Sequence, residues 1–536
     1  MFPNSNIIKF SRIAFIVMAL LASGNLYSQN KESFDKLRKQ MLDEFDKARV
    51  KNRNEYDAYR KKINDEYVSF LGEKWRQAKQ EEIKQQEPAP EPKPKPVPQP
   101  VYIPLEKVTS NPLPFVLNYQ TPKVSLKVRP VAPLVTEYIE PYEVLPGVKD
   151  VVVPSQDVIL LNQPKVEFKK RPYQKGKNNY VYFSFYGNEC GVRLPKEKEI
   201  GSPISNNAQV AKVWEILSGE TYNDMLVDLI CIRESLSLCD WAFFQLAQHL
   251  TKAYFGDWNS NEAAVMQTYI MSQLGYKVRL AEQNGNFFPL VAFAEKVYNK
   301  SYFTFDGEKY YPFSSKFTNG SIYICDFKFP NEKMCSVEVK EIPVFPELNT
   351  PSRKVASKRY PKVSVDVQSN KNMVDFFNDY LACTYEYKSK ASLSEGLKNQ
   401  LYPSLKRAIS GKSQEEAANI LLDFVQTGFE YKTDTEQFGY EKSMFADETF
   451  FYPYSDCEDR AILYSILVKE LIGLEVVLMD YPSHVATAVH FTDKVEGDFF
   501  EMEGKRYIVC DPTYIGAAVG RTMPDCKDLE CEIIKL

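Results

Sequence analysis

The apolar residues between positions 461 and 472 recur too closely for a helix with one solvent-facing side, so they predict a helix buried on most sides. Its apolar members are Ala461, Ile462, Leu463, Ile466, Leu467, Val468, Leu471 and Ile472. Gly473 predicts the end of this helix, and 474–479 then has the pattern of a strand. At its start, Ser455 and Glu458 have capping-box spacing, which predicts Ser455 as the N-cap and Cys457 in the first turn.

Two more strands are predicted downstream, at 484–491 and 505–511, with Pro512 ending the second one. Antiparallel pairing about the intervening glycine-containing loop places His484 opposite Asp511. Cross-strand neighbours have Cβ atoms about 5 Å apart, close enough for the carboxylate to fix the imidazole tautomer.

Residues 205–345 carry a similar pattern. The stretch 259–280 aligns without a gap with 457–478, and Gly275 meets Gly473. Asn259 then stands at the position of Cys457, Ser314 falls near the position of Asp511, and no histidine lies between them. We therefore predict a duplicated unit whose first copy keeps the packing and lacks the chemistry; chance similarity is the alternative.

The N-terminal third has a different pattern. Apolar residues at helical spacing predict one or two amphipathic helices over 30–86, packed together, forming a short coiled coil or contacting a partner. Alternating prolines at 87–100 predict a stiff spacer. Short apolar runs between prolines at 101–170 predict extended chain lying on a neighbour.

Helices are also predicted at roughly 370–383, 393–409 and 414–430, with Asn370 capping the first of them and Ser413 with Glu416 capping the last. The pattern as a whole predicts six segments. They are a signal peptide (1–28), a charged helical segment (29–86), a Pro-rich linker (87–170), a degenerate domain (171–345), a linker (346–368) and a catalytic domain (369–536).

Lys9 and Arg12 precede an apolar run at 13–22, which is the pattern of a secretory signal peptide, with cleavage expected after Ser28. A run of about ten residues is half of what a membrane span needs, so no anchor is expected after cleavage. We expect an exported protein, periplasmic or extracellular, from a Gram-negative-type cell envelope.

The net charge of −4 gives no electrostatic reason to expect nucleic acid as a partner. Ten cysteines in an exported chain permit disulfides, and Cys325–Cys335 and Cys526–Cys531 are candidate pairs. Three histidines support a zinc site poorly.

The candidate chemistry is nucleophilic. A helix N-terminus favours a thiolate at Cys457, His484 is placed to act as base, and Asp511 to orient His484. His490 shares a face with His484 but falls at the far end of the strand, where a surface or packing role is expected. A buried inert cysteine in a second non-catalytic domain is the alternative.

An oxyanion hole is also needed for acyl transfer. The backbone N–H of Cys457 is one donor. Tyr452 or Tyr454 is a candidate for the second, and the sequence does not choose between them.

Three segments together resemble the core of the transglutaminase-like superfamily, whose fold is papain-like. They are Asp456-Cys457-Glu458-Asp459, His484-Val485-Ala486-Thr487-Ala488-Val489 and Asp511-Pro512-Thr513-Tyr514. The resemblance is good over 415–520 and weak over 205–315, and Ala486 stands where the family often has tryptophan.

The resemblance implies an α+β fold with two tandem transglutaminase-like domains, the first degenerate. It implies a cysteine peptidase or amidase that cleaves amide bonds in protein or peptide substrates and requires no cofactor. A cross-linking transglutaminase and a non-catalytic envelope scaffold or binding protein are the alternatives.

Asp456, Glu458 and Asp459 flank the thiol, and their charges should raise its pKa. Calcium with these three residues as ligands would remove that effect. The Asp-Cys-Glu-Asp run also resembles periplasmic transglutaminase-like cysteine proteinases, some of which use calcium. The simpler interpretation, which we favour at this point, is that Glu458 caps the helix and the aspartates face solvent or Arg460.

Overall fold

The computed structural model describes residues 54, 57–73, 75–78, 83–84, 128–130, 180–195, 200, 203–219, 222–318 and 320–536. The chain divides into two compact units, Met1–Asp65 with Val151–Pro164, and Glu66–Asp150 with Lys165–Leu536. All the sheets and the candidate site lie in the second unit. The predicted signal peptide at 1–28 and the polyproline segment at 87–100 lie outside the described residues.

The protein is α+β, as predicted. Its strands are β1 (Arg76–Ala78), β2 (Ile83–Lys84), β3 (Val128–Pro130), β4 (Tyr180–Phe185), β5 (Asn188–Arg193), β6 (Val278–Gln283), β7 (Asn286–Ala292), β8 (Tyr302–Phe305), β9 (Glu308–Pro312), β10 (Ile322–Cys325), β11 (Arg353–Ala356), β12 (Ser364–Val367), β13 (Glu430–Tyr431), β14 (Tyr454–Ser455), β15 (Glu475–Tyr481), β16 (His484–His490), β17 (Phe499–Met502), β18 (Lys505–Cys510) and β19 (Cys531–Lys535).

The helices carry the remaining regular structure. They are α1 (57–71), α2 (Asn207–Leu217), α3 (Asn223–Ser235), α4 (Asp240–Phe255), α5 (Asn261–Gln273), α6 (Lys371–Asn378), α7 (Tyr385–Lys390), α8 (Glu395–Ile409), α9 (Gln414–Gly428), α10 (Asp434–Gln437), α11 (Ala446–Phe451) and α12 (Cys457–Leu471).

Two large sheets have the same central strand order. The first is β1-β10-β6-β7-β9-β8-β2, and the second, read in the matching direction, is β3-β19-β15-β16-β18-β17. In each, a buried helix (α5 or α12) leads into the first strand of a hairpin, β6–β7 or β15–β16. We call residues 180–345 the first region and residues 346–536 the second region.

The hairpin register is also shared. Val278 pairs with Val291 in the first region, and Val476 pairs with Val489 in the second. These are the positions that the gapless alignment makes equivalent. Both hairpins turn through two residues, because Gln283 pairs with Asn286 and Tyr481 with His484.

Helix α12 is buried because it is covered on several sides. All of its residues from Cys457 to Val468 are buried, as the dense apolar pattern predicts. It packs against β15 and β16 on one side and against α7, α9 and α11 on others. Gly473 follows the helix with φ +78°, a left-handed conformation that glycine adopts without strain.

The predicted helices at 393–409 and 414–430 are confirmed as α8 and α9. Ser413 caps α9 in a capping box with Glu416, and Asn370 caps α6, as predicted. The helix predicted at 370–383 is wrong in extent, because α6 ends at Asn378 and α7 starts separately at Tyr385.

The linker predicted at 346–368 is wrong. Residues 353–367 form the antiparallel hairpin β11–β12, in which Val355 pairs with Val365. Both valines are buried in the hydrophobic cluster that also contains Cys457. This segment therefore belongs to the core of the second region.

The helical prediction for 29–86 holds for α1 and is wrong at 76–78 and 83–84, while 29–53, 55–56, 74, 79–82 and 85–86 lie outside the described residues. Residues 76–78 and 83–84 form edge strands on β10 and β8. Tyr67 packs on Trp214 with ring centroids 4.3 Å apart, and Leu71 and Trp75 are buried. The apolar residues at 67–75 thus pack on this chain's own first region, where we expected a partner or a helical pair.

Residues 128–130 pair in parallel with β19, which agrees with the prediction of extended chain lying on a neighbour. No helix among the described residues is long and apolar enough to cross a membrane. No disulfide joins any of the ten cysteines, so the pairs Cys325–Cys335 and Cys526–Cys531 are not formed.

Candidate functional site

Helix α12 begins at Cys457 with Asp456 as its N-cap, one residue later than predicted. The backbone N–H of Asp456 donates to Asp459 Oδ2 at 3.2 Å. Ser455, the predicted cap, instead accepts a hydrogen bond from Arg460 Nε at 3.2 Å. Cys457 is therefore the first residue of the helix, and its backbone N–H has no partner within the helix.

His484 and Asp511 are in contact. His484 Nε2 lies 2.9 Å from Asp511 Oδ2, and the two residues are 2% and 1% exposed. The predicted register is wrong by two residues: Thr487 pairs with Cys510, which would place His484 opposite Thr513. The prediction paired 505–511 with 484–491 in one hairpin. In the structure an unpredicted strand, β17, lies between them in sequence and forms the hairpin with β18, with Met502 paired to Lys505.

A turn after β18 brings Asp511 back toward the histidine. Asp511 Oδ1 accepts the backbone N–H groups of Thr513 at 2.9 Å and Tyr514 at 3.1 Å. This is an Asx-type turn, in which a side chain takes the place of a backbone acceptor. The other oxygen, Oδ2, is left to meet His484.

This contact fixes the role of each ring nitrogen of His484. Because a carboxylate only accepts, Nε2 carries the hydrogen of the neutral ring and Nδ1 keeps the lone pair. His490, at the other end of β16, contacts the backbone oxygen of Arg506 through Nδ1 at 3.0 Å. The packing role expected for His490 agrees with that contact.

Cys457 is 6% exposed, and its Sγ donates to Glu458 Oε2 at 3.0 Å. Burial raises the pKa of the thiol well above its ordinary value, and the charges of Glu458 and Asp456 raise it further. The backbone N–H of Val485 points to the sulfur and acts the other way. Among the described contacts, Cys457 makes no hydrogen bond to His484, so the thiol keeps its proton in this conformation.

The acidic neighbours of Cys457 are buried, so the two aspartates do not face solvent, although their charges do act on Arg460. The expectation that Glu458 caps the helix is wrong, because Asp456 is the N-cap and pairs with Asp459 in the capping box. Asp456, Glu458 and Asp459 are each at most 5% exposed. Asp434 lies with Asp456 and Asp459, and also with Glu441 and Glu458, in two groups whose carboxylate oxygens fall within 4.8 Å of one another. We call these five residues the acidic cluster.

The charges in the acidic cluster act on one another. Burial and the charge of Asp459, then of Glu458, raise the pKa of Asp434 to about 9. Burial and Glu458 raise the pKa of Asp459 to about 7, although it accepts the Met444 N–H at 2.7 Å. Buried carboxylates this close do not all ionise without a cation or shared protons.

Two oxygens of the cluster have no hydrogen-bond partner among the described residues, Asp456 Oδ1 and Glu458 Oε1. Carboxylate oxygens that converge without donors suit a hard cation such as Ca²⁺. The residues present therefore fit the calcium site that the resemblance implies. Asp434 and Glu441 join it from a segment that sequence spacing could not connect to Cys457.

The two tyrosines predicted for the oxyanion hole make contacts with other residues. Tyr452 Oη donates to Asn378 Oδ1 at 2.8 Å, and the Tyr454 ring lies under Lys432 Nζ at 4.0 Å. The tyrosines whose pKa values respond to the charge of Cys457 are Tyr385 and Tyr431; burial is the largest cause of both rises.

Gln426, on α9, holds the segment that carries Asp511. Its Nε2 donates to the backbone oxygens of Asp511 at 2.9 Å, Tyr514 at 2.9 Å and Ala517 at 3.1 Å. Its Oε1 accepts the Gly516 N–H at 3.1 Å. A glutamine inside the apolar pattern of α9 is the sequence signal for this role.

The first region has no such site at the equivalent positions. Asn259 lies two residues before α5, and its side chain is satisfied on both ends: Nδ2 donates to Ser315 Oγ at 2.6 Å, and Oδ1 accepts from Ser314 Oγ at 2.7 Å. Asn286 occupies the position of His484. A cavity of about 360 Å³ in the described residues is lined by none of the predicted site residues; its lining is Arg76, Arg279, Thr304, Phe305, Asp306, Tyr310, Ile324, Asp326 and Lys328.

The chain matches no model of a known protein family, no curated protein and no solved structure. The functional argument therefore depends on the geometry of the site and on the motif resemblance.

Proposed function

We propose that the protein is an exported cysteine hydrolase of the transglutaminase-like superfamily that cleaves amide bonds in proteins or peptides. The observation that carries the proposal is the contact between His484 Nε2 and Asp511 Oδ2. The residue after His484 on β16, Val485, directs its backbone N–H to Cys457, so the same strand serves the thiol and the base. A nucleophile, a base and an orienting carboxylate are the parts that a thiol acyl transfer needs.

In the proposed reaction, Nδ1 of His484 takes the proton of Cys457 and the sulfur attacks the amide carbon. Asp511 holds the ring and stabilises the imidazolium. The imidazolium then gives its proton to the leaving amine as the C–N bond breaks. Water, deprotonated by His484, then attacks the thioacyl carbon, the C–S bond breaks, and the imidazolium returns the proton to the Cys457 sulfur. An amine in place of water gives transglutamination.

We propose calcium as a cofactor of this site, held by the acidic cluster. A cation there offsets the charges of Glu458 and Asp456 that raise the pKa of the Cys457 thiol. It also satisfies Asp456 Oδ1 and Glu458 Oε1, for which the described residues offer no donor.

We further propose that the two regions are tandem transglutaminase-like domains and that the first is degenerate. The shared strand order and hairpin register support this proposal. The first domain then serves as a packing or substrate-docking module. Secretion to the periplasm or the cell exterior is proposed from the sequence of residues 1–28.

The test is hydrolysis of a mixed peptide library and of casein by the purified full chain, read by mass spectrometry. Cys457→Ala and His484→Ala should abolish cleavage, and the matched variant His490→Ala should keep it. A fluorescent amine donor in parallel assays distinguishes cross-linking from hydrolysis. Equal product from the wild type and Cys457→Ala would reject the enzyme and favour a scaffold.

Calcium is tested by isothermal titration of the chelator-treated protein with CaCl₂ and by thermal unfolding. Asp434→Asn and Glu458→Gln should weaken binding, whereas Asp447→Asn, which alters a buried carboxyl outside the cluster, should not. Absence of heat and of any thermal shift in the wild type would reject the cation.

A further inference from the structure

The hydroxyl of Tyr385 is a buried polar group that no described residue satisfies. Tyr385 is 5% exposed, and its Oη has no hydrogen-bond partner among the described residues. Native proteins leave few buried polar atoms unpaired, because each one loses its hydrogen bonds to water without replacement. Such an atom beside a candidate catalytic thiol points to a partner that arrives with the substrate.

Tyr385 is close to Cys457 by packing and by charge. It is the first residue of α7, which packs on α12, and its side chain belongs to the same hydrophobic cluster as that of Cys457. Burial raises the pKa of Tyr385, followed by the charges of Glu458, Asp480 and Cys457. The hydroxyl therefore stays protonated, and a protonated phenol is a hydrogen-bond donor.

We propose that the Tyr385 hydroxyl is the side-chain donor of the oxyanion hole, opposite the backbone N–H of Cys457. The role rests on the proposed function. When the sulfur bonds to the carbonyl carbon, the π electron pair moves to oxygen, and Tyr385 donates a hydrogen bond to that anion. The proton stays on Tyr385; as the C=O bond re-forms and the C–N bond breaks, the hydrogen bond weakens again.

Three other tyrosines make contacts of a different kind, through the hydroxyl at Tyr452 and through the ring at Tyr454 and Tyr431. Tyr452 donates to Asn378, and Lys432 lies over the ring of Tyr454. Tyr431 lies against the Arg460 guanidinium, 5.2 Å from the ring centroid. Of these four tyrosines, only Tyr385 has a buried hydroxyl without a partner. In so closed a site, a donor aimed at developing charge acts more strongly than in water.

The test uses two probes of Cys457 that differ in one respect. p-Nitrophenyl acetate acylates the thiol through a tetrahedral oxyanion, whereas iodoacetamide alkylates it by displacement at a saturated carbon, with no oxyanion. Both rates are measured on the full chain with CaCl₂ present, for the wild type, Tyr385→Phe and Cys457→Ala. Tyr464→Phe is the matched control, because it removes a buried hydroxyl that bonds Ala418 O from the same hydrophobic cluster.

We expect Tyr385→Phe to lower the acylation rate by about 10²- to 10³-fold, the usual effect of losing one oxyanion donor. Its alkylation rate should stay at the wild-type value, and Tyr464→Phe should change neither rate. An unchanged acylation rate in Tyr385→Phe, or an equal fall in both rates, would overturn the oxyanion role while leaving the triad in place. If Cys457→Ala reacts with p-nitrophenyl acetate as fast as the wild type, the proposed function fails and this role fails with it.

Discussion

The two regions of the molecule share strand order and hairpin register and differ in what occupies three equivalent positions. Asn259 and Ser314 of the first region bond each other, which closes the place where a nucleophile would stand. In the second region, Asp511 bonds His484 and Cys457 bonds Glu458. The comparison teaches that the scaffold does not determine the chemistry, which depends on a few side chains within it.

The N-termini of the equivalent helices α5 and α12 also differ in whether their polar groups are satisfied. Ser260 caps α5 conventionally, accepting the Ala263 N–H at 3.1 Å. The start of α12 instead carries buried carboxylates with two unpartnered oxygens, Asp456 Oδ1 and Glu458 Oε1. The polar side chains at the start of α5 are satisfied, whereas the start of α12 keeps carboxylate oxygens that need a ligand, a cation or a proton.

The largest expected effect separates Cys457 from Asn259. Cys457→Ala should lower peptide cleavage by about 10⁴-fold or more, because a lost nucleophile removes the covalent route. Asn259→Ala should leave cleavage unchanged and lower the free energy of unfolding by about 1–2 kcal/mol, since two buried hydrogen bonds are lost. Initial rates and urea unfolding measure the two effects; a comparable loss of activity in both variants would contradict the asymmetry.

The next effect separates Asp511 from Ser314. Asp511→Ala should lower kcat by roughly 10²-fold with little change in KM, because the base loses its orientation rather than its substrate. Ser314→Ala is the matched change in the first region and should leave kcat at the wild-type value. Steady-state kinetics on one cleaved peptide measure kcat and KM for both variants. A wild-type kcat in Asp511→Ala would show that Asp511 has no role in the triad.

A smaller effect is expected at Gln426. Gln426→Ala should lower the free energy of unfolding by about 2–3 kcal/mol and also lower kcat, because the Asp511 segment loses four hydrogen bonds. Asn419→Ala is the control: it lies on the same helix and bonds the Val519 N–H at 2.9 Å. Asn419→Ala should lower the free energy of unfolding and leave kcat unchanged. If kcat falls as much in Asn419→Ala as in Gln426→Ala, then α9 affects activity only through the stability of the fold.

The smallest effect is a pH dependence of stability that Asp447 of the second region contributes. Burial raises the pKa of Asp447 to about 6, although the Ser394 N–H that it accepts acts the other way. The native state therefore holds a proton that the unfolded state releases near pH 4, so its contribution to stability falls as the pH rises from about 4 to about 6. Between about pH 4 and about pH 6 the free energy of unfolding of Asp447→Asn should rise by about 2 kcal/mol relative to that of the wild type. If the difference between the two free energies of unfolding does not change with pH, the burial argument is contradicted.

The sequence predicted what depends on local pattern. Helices α8, α9 and α12 follow from their apolar spacing, and the Ser413 cap follows from a local motif. The contact of His484 with Asp511 was predicted from strand ends, although the register behind it was wrong because β17 was missed. A register error of two keeps side chains on the same face, which is why the contact survived.

What the sequence could not predict depends on residues distant in the chain. Asp434 and Glu441 join the acidic cluster through the path of a connecting segment, which leaves no spacing signal. The β11–β12 hairpin was missed because its strands have four residues each, too short for a periodic pattern to stand out. Tyr385 was missed because only burial shows that its hydroxyl lacks a partner.

The central claim is that Cys457, and no other cysteine, is an activated nucleophile served by His484. The most direct measurement is the iodoacetamide alkylation rate of all ten cysteines, resolved by peptide mass spectrometry in the calcium-loaded full chain, for the wild type, His484→Ala and His490→Ala. We predict that Cys457, although buried, reacts faster than the less buried Cys231 and Cys239, and that only His484→Ala slows it. Alkylation of Cys457 no faster than theirs, with no effect of His484→Ala, would contradict the account.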